Sequence, residues 1–140
     1  MNVYEEIRQY VGKYAREIDN RFKEHNQAHT NDNIGSFDWD KSYYIRFNPV
    51  LANESNGFRT LEIPLDIEFG RKAGARPIQS HDEVLCTATE LGFKLTNPSN
   101  FSGQFDSVLL GSIIPEPVLS NERWTKITLS VTINVSYEVR

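Results

Sequence analysis

The chain has 140 residues, a formal net charge of −4, and 39% hydrophobic against 24% charged residues, a composition typical of one globular domain with a substantial core. Its single cysteine, Cys86, excludes an internal disulfide framework and suits a reducing compartment. Neither a membrane span of roughly 20 apolar residues nor a signal peptide is evident, and the negative charge argues against a protein that grips nucleic acid by its phosphates.

The first predicted element is an amphipathic helix over about Val3–His25. Its apolar residues recur at spacings of three and four, which is typical of one buried helix face. Asn2 precedes it, and a glutamate stands three residues later, as in a capping box. The following residues, 26–41, are polar and rich in Asn and Asp, so we predict an exposed flexible loop. Phe37 and Trp39 lie near its end and are expected to dock back or to meet a partner.

Two strands joined by a turn are predicted over Ser42–Phe69. Apolar and polar residues alternate in both SYYIRFNPVL and FRTLEIPLDIEF, as in strands with one buried face. An Asn-Gly step in the intervening ANESNG favours a tight turn. Pro64 lacks an amide proton, so we expect its strand to lie at a sheet edge or to carry a bulge there. The polar face of this strand carries three acidic residues: Glu62, Asp66 and Glu68.

A mobile basic loop is predicted over 70–78, because GRKAGARP combines glycines with three cations. It lacks the spacing of a phosphate-binding loop. A helix should follow over Ser80–Gly92. Ser80 begins a capping-box pattern, and Gly92 is a natural C-cap.

The last strand, predicted over Trp124–Val139, alternates without interruption, with apolar residues at odd positions and polar ones at even positions. At ~3.3 Å per residue it would span ~50 Å, which is long for a small domain. We therefore expect it to run past its own sheet and to contact a neighbouring subunit. Small uncharged side chains on its second face suit close approach between chains. The residues assigned to this subunit interface are Thr128, Ser130, Thr132, Asn134 and Ser136.

A further strand in FDSVLLGSII completes the element order α-β-β-α-β-β. We expect a single α+β domain over residues 1–140, with two helices packed on one face of a mainly antiparallel four-stranded sheet and with long loops. The odd-numbered residues of the middle and last strands would face the helices.

Three groups of side chains could carry chemistry, but each has a simpler structural explanation. His25 and His29 have a spacing that suits zinc on a helix face, yet no cysteine or third histidine is nearby, and solvated loop histidines explain them. The run His81–Glu83 would lie in the first turn of a capped helix, where acidic side chains favour the dipole. Cys86 is expected to be a small buried residue. We therefore predict no catalytic, cofactor-binding or metal site, and a protein that is not an enzyme.

The order and style of these elements resemble the tail terminator proteins of long-tailed bacteriophages over nearly all of the chain. The resemblance rests on the N-terminal amphipathic helix (Val3–His25), the hairpin with an extended tip (Ser42–Phe69), the capped mid-chain helix (Ser80–Gly92) and the long C-terminal strand RWTKITLSVTINVSYEV. That family has no short invariant motif, so no diagnostic residue is carried over from it.

The resemblance implies a homo-oligomeric ring, hexameric in that family, which caps the tail tube, ends its polymerisation and joins the tail to the head. The implied partners are the tube protein and a head-side connector or neck protein. The implied location is the virion, after assembly in the host cytoplasm. DNA would pass without specific binding, through an acidic lumen formed by Glu62, Asp66 and Glu68 that repels phosphates. The residues expected to dock the tube or the head are Phe37, Trp39, Arg71, Lys72 and Arg76.

Two alternatives remain open from the sequence. Another phage neck, tube or completion protein of similar fold would explain the same pattern. A small ligand-binding or hydrolytic α+β domain that uses His81, Asp82 and Glu83 belongs to a different class, and an activity lost on His81→Ala would favour it.

Overall fold

The computed structural model describes residues 2–26, 41–72, 74–116 and 124–138. Within these ranges the chain forms three helices and six strands. In chain order they are α1 (Val3–Ile18), β1 (Lys23–Glu24), β2 (Ser42–Phe47), β3 (Leu51–Ser55), β4 (Phe58–Lys72), α2 (Pro77–Leu95), α3 (Pro98–Phe101), β5 (Ser107–Pro115) and β6 (Trp124–Glu138). The α+β class is confirmed, with more strands and one more short helix than predicted.

The strands form one sheet in the order β1-β2-β4-β6-β5, and β3 pairs with β4 beyond the end of β2. Every pair is antiparallel except β1 with β2. The last strand in the chain therefore lies inside the sheet, between β4 and β5. The prediction of a mainly antiparallel sheet is confirmed.

The centre of the sheet is a ribbon of two 15-residue strands, β4 and β6. They pair along their whole length, from Phe58 opposite Glu138 to Lys72 opposite Trp124. The predicted length of the last strand is confirmed, but the expectation that it runs past its own sheet is wrong. Its partner is equally long because residues 70–72, which were assigned to a basic loop, continue β4.

Pro64 lies in this central strand, so the expected edge position is wrong. Its carbonyl oxygen accepts a hydrogen bond from the Asn48 amide at 2.9 Å, which places the proline nitrogen on the same side, towards β2 and β3. There the ladder is interrupted, because residues 48–50 lie opposite only residues 63–64. The extra residue of this bulge belongs to the partner strand, and the missing amide proton therefore removes no ladder hydrogen bond.

Helix α1 begins as predicted and ends earlier. The Asn2 side chain accepts a hydrogen bond from the Glu5 amide at 2.9 Å, which is the expected N-cap. At Asp19 the backbone becomes extended, and its carboxylate accepts hydrogen bonds from the backbone and side chain of Arg21. An aspartate that bonds the amide two residues ahead competes with helix continuation, so the helix stops at Ile18 instead of reaching His25.

Helix α2 is longer than predicted at both ends. It begins at Pro77, whose fixed φ suits the first helical turn, so Ser80 lies inside the helix and is not its N-cap. Gly92 also lies inside and is not the C-cap. A Cβ there would meet Cδ1 of Leu129 at 3.1 Å and Cδ1 of Leu110 at 3.2 Å, so glycine is needed for close approach of α2 to the sheet.

Both helices cover the same face of the sheet, as predicted. The Tyr10 hydroxyl donates a hydrogen bond to the Leu95 carbonyl at 2.5 Å and joins α1 to α2. Burial, together with the neighbouring Tyr14, raises the Tyr10 pKa above its ordinary value. The odd-numbered residues of the ribbon form the core beneath the helices: Ile63, Leu65, Ile67, Phe69, Ile127, Leu129, Val131, Ile133 and Val135. No helix in the described ranges is long and apolar enough to cross a membrane.

Candidate assembly surface

The even-numbered positions of β4 and β6, from 62 to 68 and from 126 to 136, form the opposite side of the ribbon, which we call the helix-free face. The strand register places Glu62 opposite Asn134, Asp66 opposite Ser130, and Glu68 opposite Thr128. The two sets assigned from the sequence, the acidic residues and the small polar residues of the last strand, are therefore neighbours on one surface.

Asp66 is held between two strands on this face. Arg46 Nη2 of β2 donates to Asp66 Oδ2 at 2.8 Å, and Ser130 Oγ of β6 donates to Asp66 Oδ1 at 2.6 Å. Burial alone would raise the pKa of the carboxyl, but hydrogen bonds from Ser130, Arg46 and Asn48 outweigh burial and lower that pKa below its ordinary value. The same contact raises the pKa of the Arg46 guanidinium.

Glu68 is buried, with 2% of its surface exposed. Its Oε1 lies 3.2 Å from Lys126 Nζ and 3.6 Å from Arg46 Nη1. Its Oε2 has no hydrogen-bond partner among the described residues. The three predicted acidic residues do share one face, but only Glu62 is exposed, and interleaved cations compensate the other two. The face is therefore a network of paired carboxylates and cations, which we call the polar lattice, and not a uniformly acidic patch.

The small polar residues of β6 also make contacts within the chain. Besides Ser130, Asn134 Nδ2 donates to Ser107 Oγ of β5 at 2.8 Å. Ser136 donates to the Asp106 carboxylate and lies 3.2 Å from the Thr60 hydroxyl. Because β6 lies between β4 and β5, its backbone is paired on both sides over residues 127–134 and cannot pair there with another subunit as an edge strand would. Contact between subunits through its side chains remains a prediction.

Of the residues assigned to docking loops, two lie in β4 and one directly precedes α2. Arg71 is in β4 and forms an ion pair with Glu83 of α2, while Lys72 is the exposed last residue of β4. Arg76 is the residue before α2, and its Nη1 donates to Gln79 Oε1 at 3.3 Å. The predicted basic loop over 70–78 is thus wrong in extent. The aromatic residues assigned to the Asn-rich loop, Phe37 and Trp39, lie outside the described residues.

The candidate catalytic trio of α2 does not converge on one point. His81 Nε2 lies 3.0 Å from the Glu116 carbonyl, Glu83 binds Arg71, and Asp82 Oδ1 is 3.9 Å from His81 Nδ1. Groups of three or more metal-ligating side chains are absent from the described part of the chain. His29 falls outside that part.

Two further expectations concern single residues. His25 is buried, and its amide donates to the Tyr43 carbonyl at 2.6 Å, so it is not a solvated loop residue. Cys86 is exposed on α2, so the expectation of a buried thiol is wrong. It lies two positions from Val84 and Ala88, which both face the core, and half a helical turn separates such positions.

A cleft of about 240 Å³ opens between the end of α1 and α2. Its charged lining is paired across the opening, with Lys41 Nζ 3.2 Å from Asp19 Oδ2 and with the Arg71–Glu83 ion pair. Hydrogen bonds from Arg21, followed by the contacts with Lys41, hold the Asp19 pKa well below its ordinary value. One ion pair connects the end of α1 with the start of β2 and the other connects β4 with α2, which explains the charges without a ligand.

The outer edge of β5 is a feature that the sequence analysis missed. No described strand pairs with it, and its side chains are unusually apolar for an exposed edge. Leu109, Leu110 and Ile114 expose 56%, 38% and 50% of their surfaces. No charged residue occurs between Asp106 and Glu116. That uncharged run was the available signal, because natural edge strands are usually protected by charge.

The other end of the ribbon also projects apolar side chains. β3 and the start of β4 form a hairpin with Asn56 and Gly57 at its turn, both at positive φ, as the Asn-Gly step predicted. Leu51 and Phe58 in this hairpin expose 63% and 51% of their surfaces. We call β3, this turn and residues 58–62 the ribbon tip.

Comparison with known proteins adds no family to this description. No protein-family model matches the sequence, and a search of characterised proteins finds no significant match. The likeness to tail terminators therefore stays a prediction from the order and pattern of the elements.

Proposed function

We propose that this chain is a structural subunit of a bacteriophage virion, which forms a ring at the top of the tail tube. The ring would end tube polymerisation and provide the surface for head joining. Its partners would be the tube protein and a head-side connector or neck protein, with DNA passing through unbound. No step in this role requires catalysis, so the protein would not be an enzyme.

The observation that carries the proposal is the helix-free face of the central ribbon. Its two strands are each 15 residues long, and over residues 126–136 they present a surface about 35 Å long on which short hydroxyl and amide side chains alternate with compensated charges. An antiparallel sheet often turns one face to water, but such faces are commonly rich in long charged side chains. Between positions 126 and 136, the only even-numbered charged residue of β6 is Lys126.

A surface of this kind suits a passage for DNA. Phosphates are held mainly by exposed cations, with an affinity that rises with the number of contacts. Here Arg46 and Lys126 are each paired with a carboxylate, while Glu62 remains exposed. The face therefore offers little for a phosphate backbone to bind, and DNA would slide past it.

The location in the particle can be tested genetically in the virus that encodes this chain. An early stop codon should leave filled heads without tails and tails of abnormal length, and wild-type protein supplied from a plasmid should restore joined particles. Electron microscopy of the lysate measures both defects, and labelled chain should be found at the upper end of the tube. Joined, infectious particles that lack the chain would disprove the proposal.

The passage role has its own test, which uses charge reversal. Glu62→Lys would place an unpaired cation on the helix-free face and should slow DNA release from purified particles. Glu90→Lys makes the same change at an exposed position of α2 and should not. The rate of DNA release, followed by a fluorescent dye, separates the two variants. Equal rates would argue against a lumen position for this face.

A tube or completion protein is the second candidate, because the same ribbon could line a continuous tube. A tube subunit should polymerise to long filaments when purified, whereas a terminator should stop at rings or wait for a tube end. Negative-stain microscopy of the purified chain at increasing concentration distinguishes the two.

A further inference from the structure

We propose that the edge of β5 in one copy of the chain pairs with β3 of the next copy, so that their sheets join into a continuous wall. This inference rests on the proposed ring, because it names the surfaces by which that ring would close. It also replaces the last strand, whose backbone is paired on both sides over residues 127–134, as the main contact between subunits.

The β5 edge has the properties of a strand that accepts another. It extends over nine residues, from Ser107 to Pro115, and it has no charged side chain that would oppose edge pairing. Leu109 and Ile114 point to the helix-free side, since their partners in β6 are Thr132 and Thr128. Both are at least half exposed, and a covering strand would bury them.

A second exposed edge lies at the opposite side of the same sheet. β3 pairs with β4 on one side only among the described strands, and all five of its residues are exposed. Leu51 and Phe58 also point to the helix-free side, because Leu51 lies opposite Glu62 and Phe58 is an even position of β4. Joining the two edges would therefore bring four exposed apolar side chains together on one surface.

The strand directions make this junction antiparallel. β3 is antiparallel to β4, β4 to β6, and β6 to β5, so β3 and β5 run in opposite directions. Copies related by rotation keep these directions, and β5 of one copy then meets β3 of the next as an antiparallel pair, the more stable ladder. The two contacting surfaces differ, which is the head-to-tail arrangement that closes into rings.

The two edges lie at different heights along the ribbon, and this offset sets the strand tilt when the centre of β5 pairs with the centre of β3. β5 pairs with residues 127–134 of β6. β3 pairs with residues 58–62 of β4, which in turn lie opposite residues 134–138 of β6. Their centres differ by about 18 Å, while four strands are about 19 Å wide. Copies in a flat ring would then have strands tilted by about 43°, within the 35–45° usual for closed barrels.

The sense of this tilt agrees with the ordinary handedness of sheets. β4 and β5 are parallel and are connected through α2, and such crossovers are right-handed in nearly all proteins. We view the sheet from the side of the helices, with β4 running upwards. In this view β5 lies to the right of β4, and β3 lies to its left and lower than β5 along the strand direction. With helices outside, the strands rise to the right around the ring, as the right-handed twist of strands requires.

The size of the passage follows for a ring of six copies, the number that the resemblance to tail terminators implies. Six copies contribute 24 strands, which at this spacing and tilt form a wall about 50 Å across between backbones. The helix-free face would line it, with side chains that are mostly short. A passage of this width leaves room for duplex DNA without close contact.

Cysteine cross-linking tests the junction directly. Asn53, at the centre of β3, and Ser112, near the centre of β5, both point to the helix-free side. In a Cys86→Ser background, the double variant Asn53→Cys with Ser112→Cys should give a ladder of covalent oligomers with a short bismaleimide. Each single variant should give none. Dimers from Ser112→Cys alone would mean that β5 pairs with itself, and no ladder from the double variant at high concentration would also overturn the inference.

A pair of charge variants supports the same test without cross-linking. Leu109→Lys should reduce the assembled fraction about tenfold, because charge on an edge opposes strand pairing. Thr132→Lys places the same charge on the neighbouring central strand, directly opposite Leu109, and should leave assembly unchanged. Analytical ultracentrifugation measures both, and circular dichroism checks that each variant folds. An assembly defect in Thr132→Lys without one in Leu109→Lys would mean that the side chains of β6, and not the edge of β5, form the subunit interface.

These outcomes are separate from those of the proposed function. A cross-linked ladder from a chain that is absent from virus particles would keep the edge pairing and reject the virion role. A ring found in particles whose subunits do not cross-link at these positions would do the reverse.

Discussion

The two faces of the central ribbon come from the same two strands, yet they are stabilised in different ways. On the helix-covered face, apolar side chains from β4 and β6 pack beneath α1 and α2. On the helix-free face, polar side chains satisfy one another across strands through ion pairs and hydrogen bonds. A polar sheet face can therefore be an organised network of ion pairs and hydrogen bonds, and its polarity alone does not identify what it contacts.

The largest expected effect is on the free energy of unfolding, and it should differ between substitutions of two adjacent residues that lie on opposite faces of β6. Leu129→Ala should lower the free energy of unfolding by about 2–5 kcal/mol, because it opens a cavity beneath α2 beside Gly92. Ser130→Ala, one residue on and facing the other way, should lower the free energy of unfolding by about 1 kcal/mol, because its hydrogen bond to Asp66 is lost. Urea denaturation followed by circular dichroism measures both. Equal losses would mean that the faces are not energetically distinct.

The second expected effect measures how much stability depends on the ion pairs of the helix-free face. Lys126→Met removes the nearest cation from the buried Glu68 and should cost about 3 kcal/mol, since an uncompensated buried charge is expensive. Glu62→Gln changes an exposed carboxylate on the same face and should shift stability by less than about 0.5 kcal/mol. The same denaturation experiment applies. A small loss for Lys126→Met would mean that Arg46 alone compensates Glu68.

The alternation of residues predicted both faces, and the register explains why their partners were not predicted. Period-two patterns in β4 and β6 identify which side chains share a face without knowledge of the fold. The partners of Asp66 and Glu68 are Arg46 and Lys126, which come from β2 and β6 and reach them only through the strand order. A local pattern contains no information about which distant strand lies beside it.

The exposed edges were missed for the same reason. The last strand of the chain inserts between β4 and β5, so the strand that looked available for a neighbour is internal and β5 becomes the edge. The helix ends were missed for local reasons. The side chain of Asp19 and the ring of Pro77 fix the backbone more strongly than the apolar period or the Ser80 capping pattern does.

The smallest expected effect is a pH-dependent change in stability, which shows whether Asp66 stabilises the helix-free face through its charge or through the geometry of its hydrogen bonds. The folded-state pKa of Asp66 lies below its ordinary value, so its ionisation adds stability that is present above the unfolded pKa of about 3.9. That contribution is lost as the pH falls below this value and through the folded pKa. Asp66→Asn should therefore be less stable than wild type by about 1–2 kcal/mol near neutral pH. The difference should shrink in acid below about pH 4.

Urea titrations at a series of pH values measure this difference in stability, with Glu62→Gln as the matched control on the same face. A difference that stays constant from neutral to acidic pH would mean that Asp66 acts through hydrogen-bond geometry, and that the polar lattice does not depend on its charge.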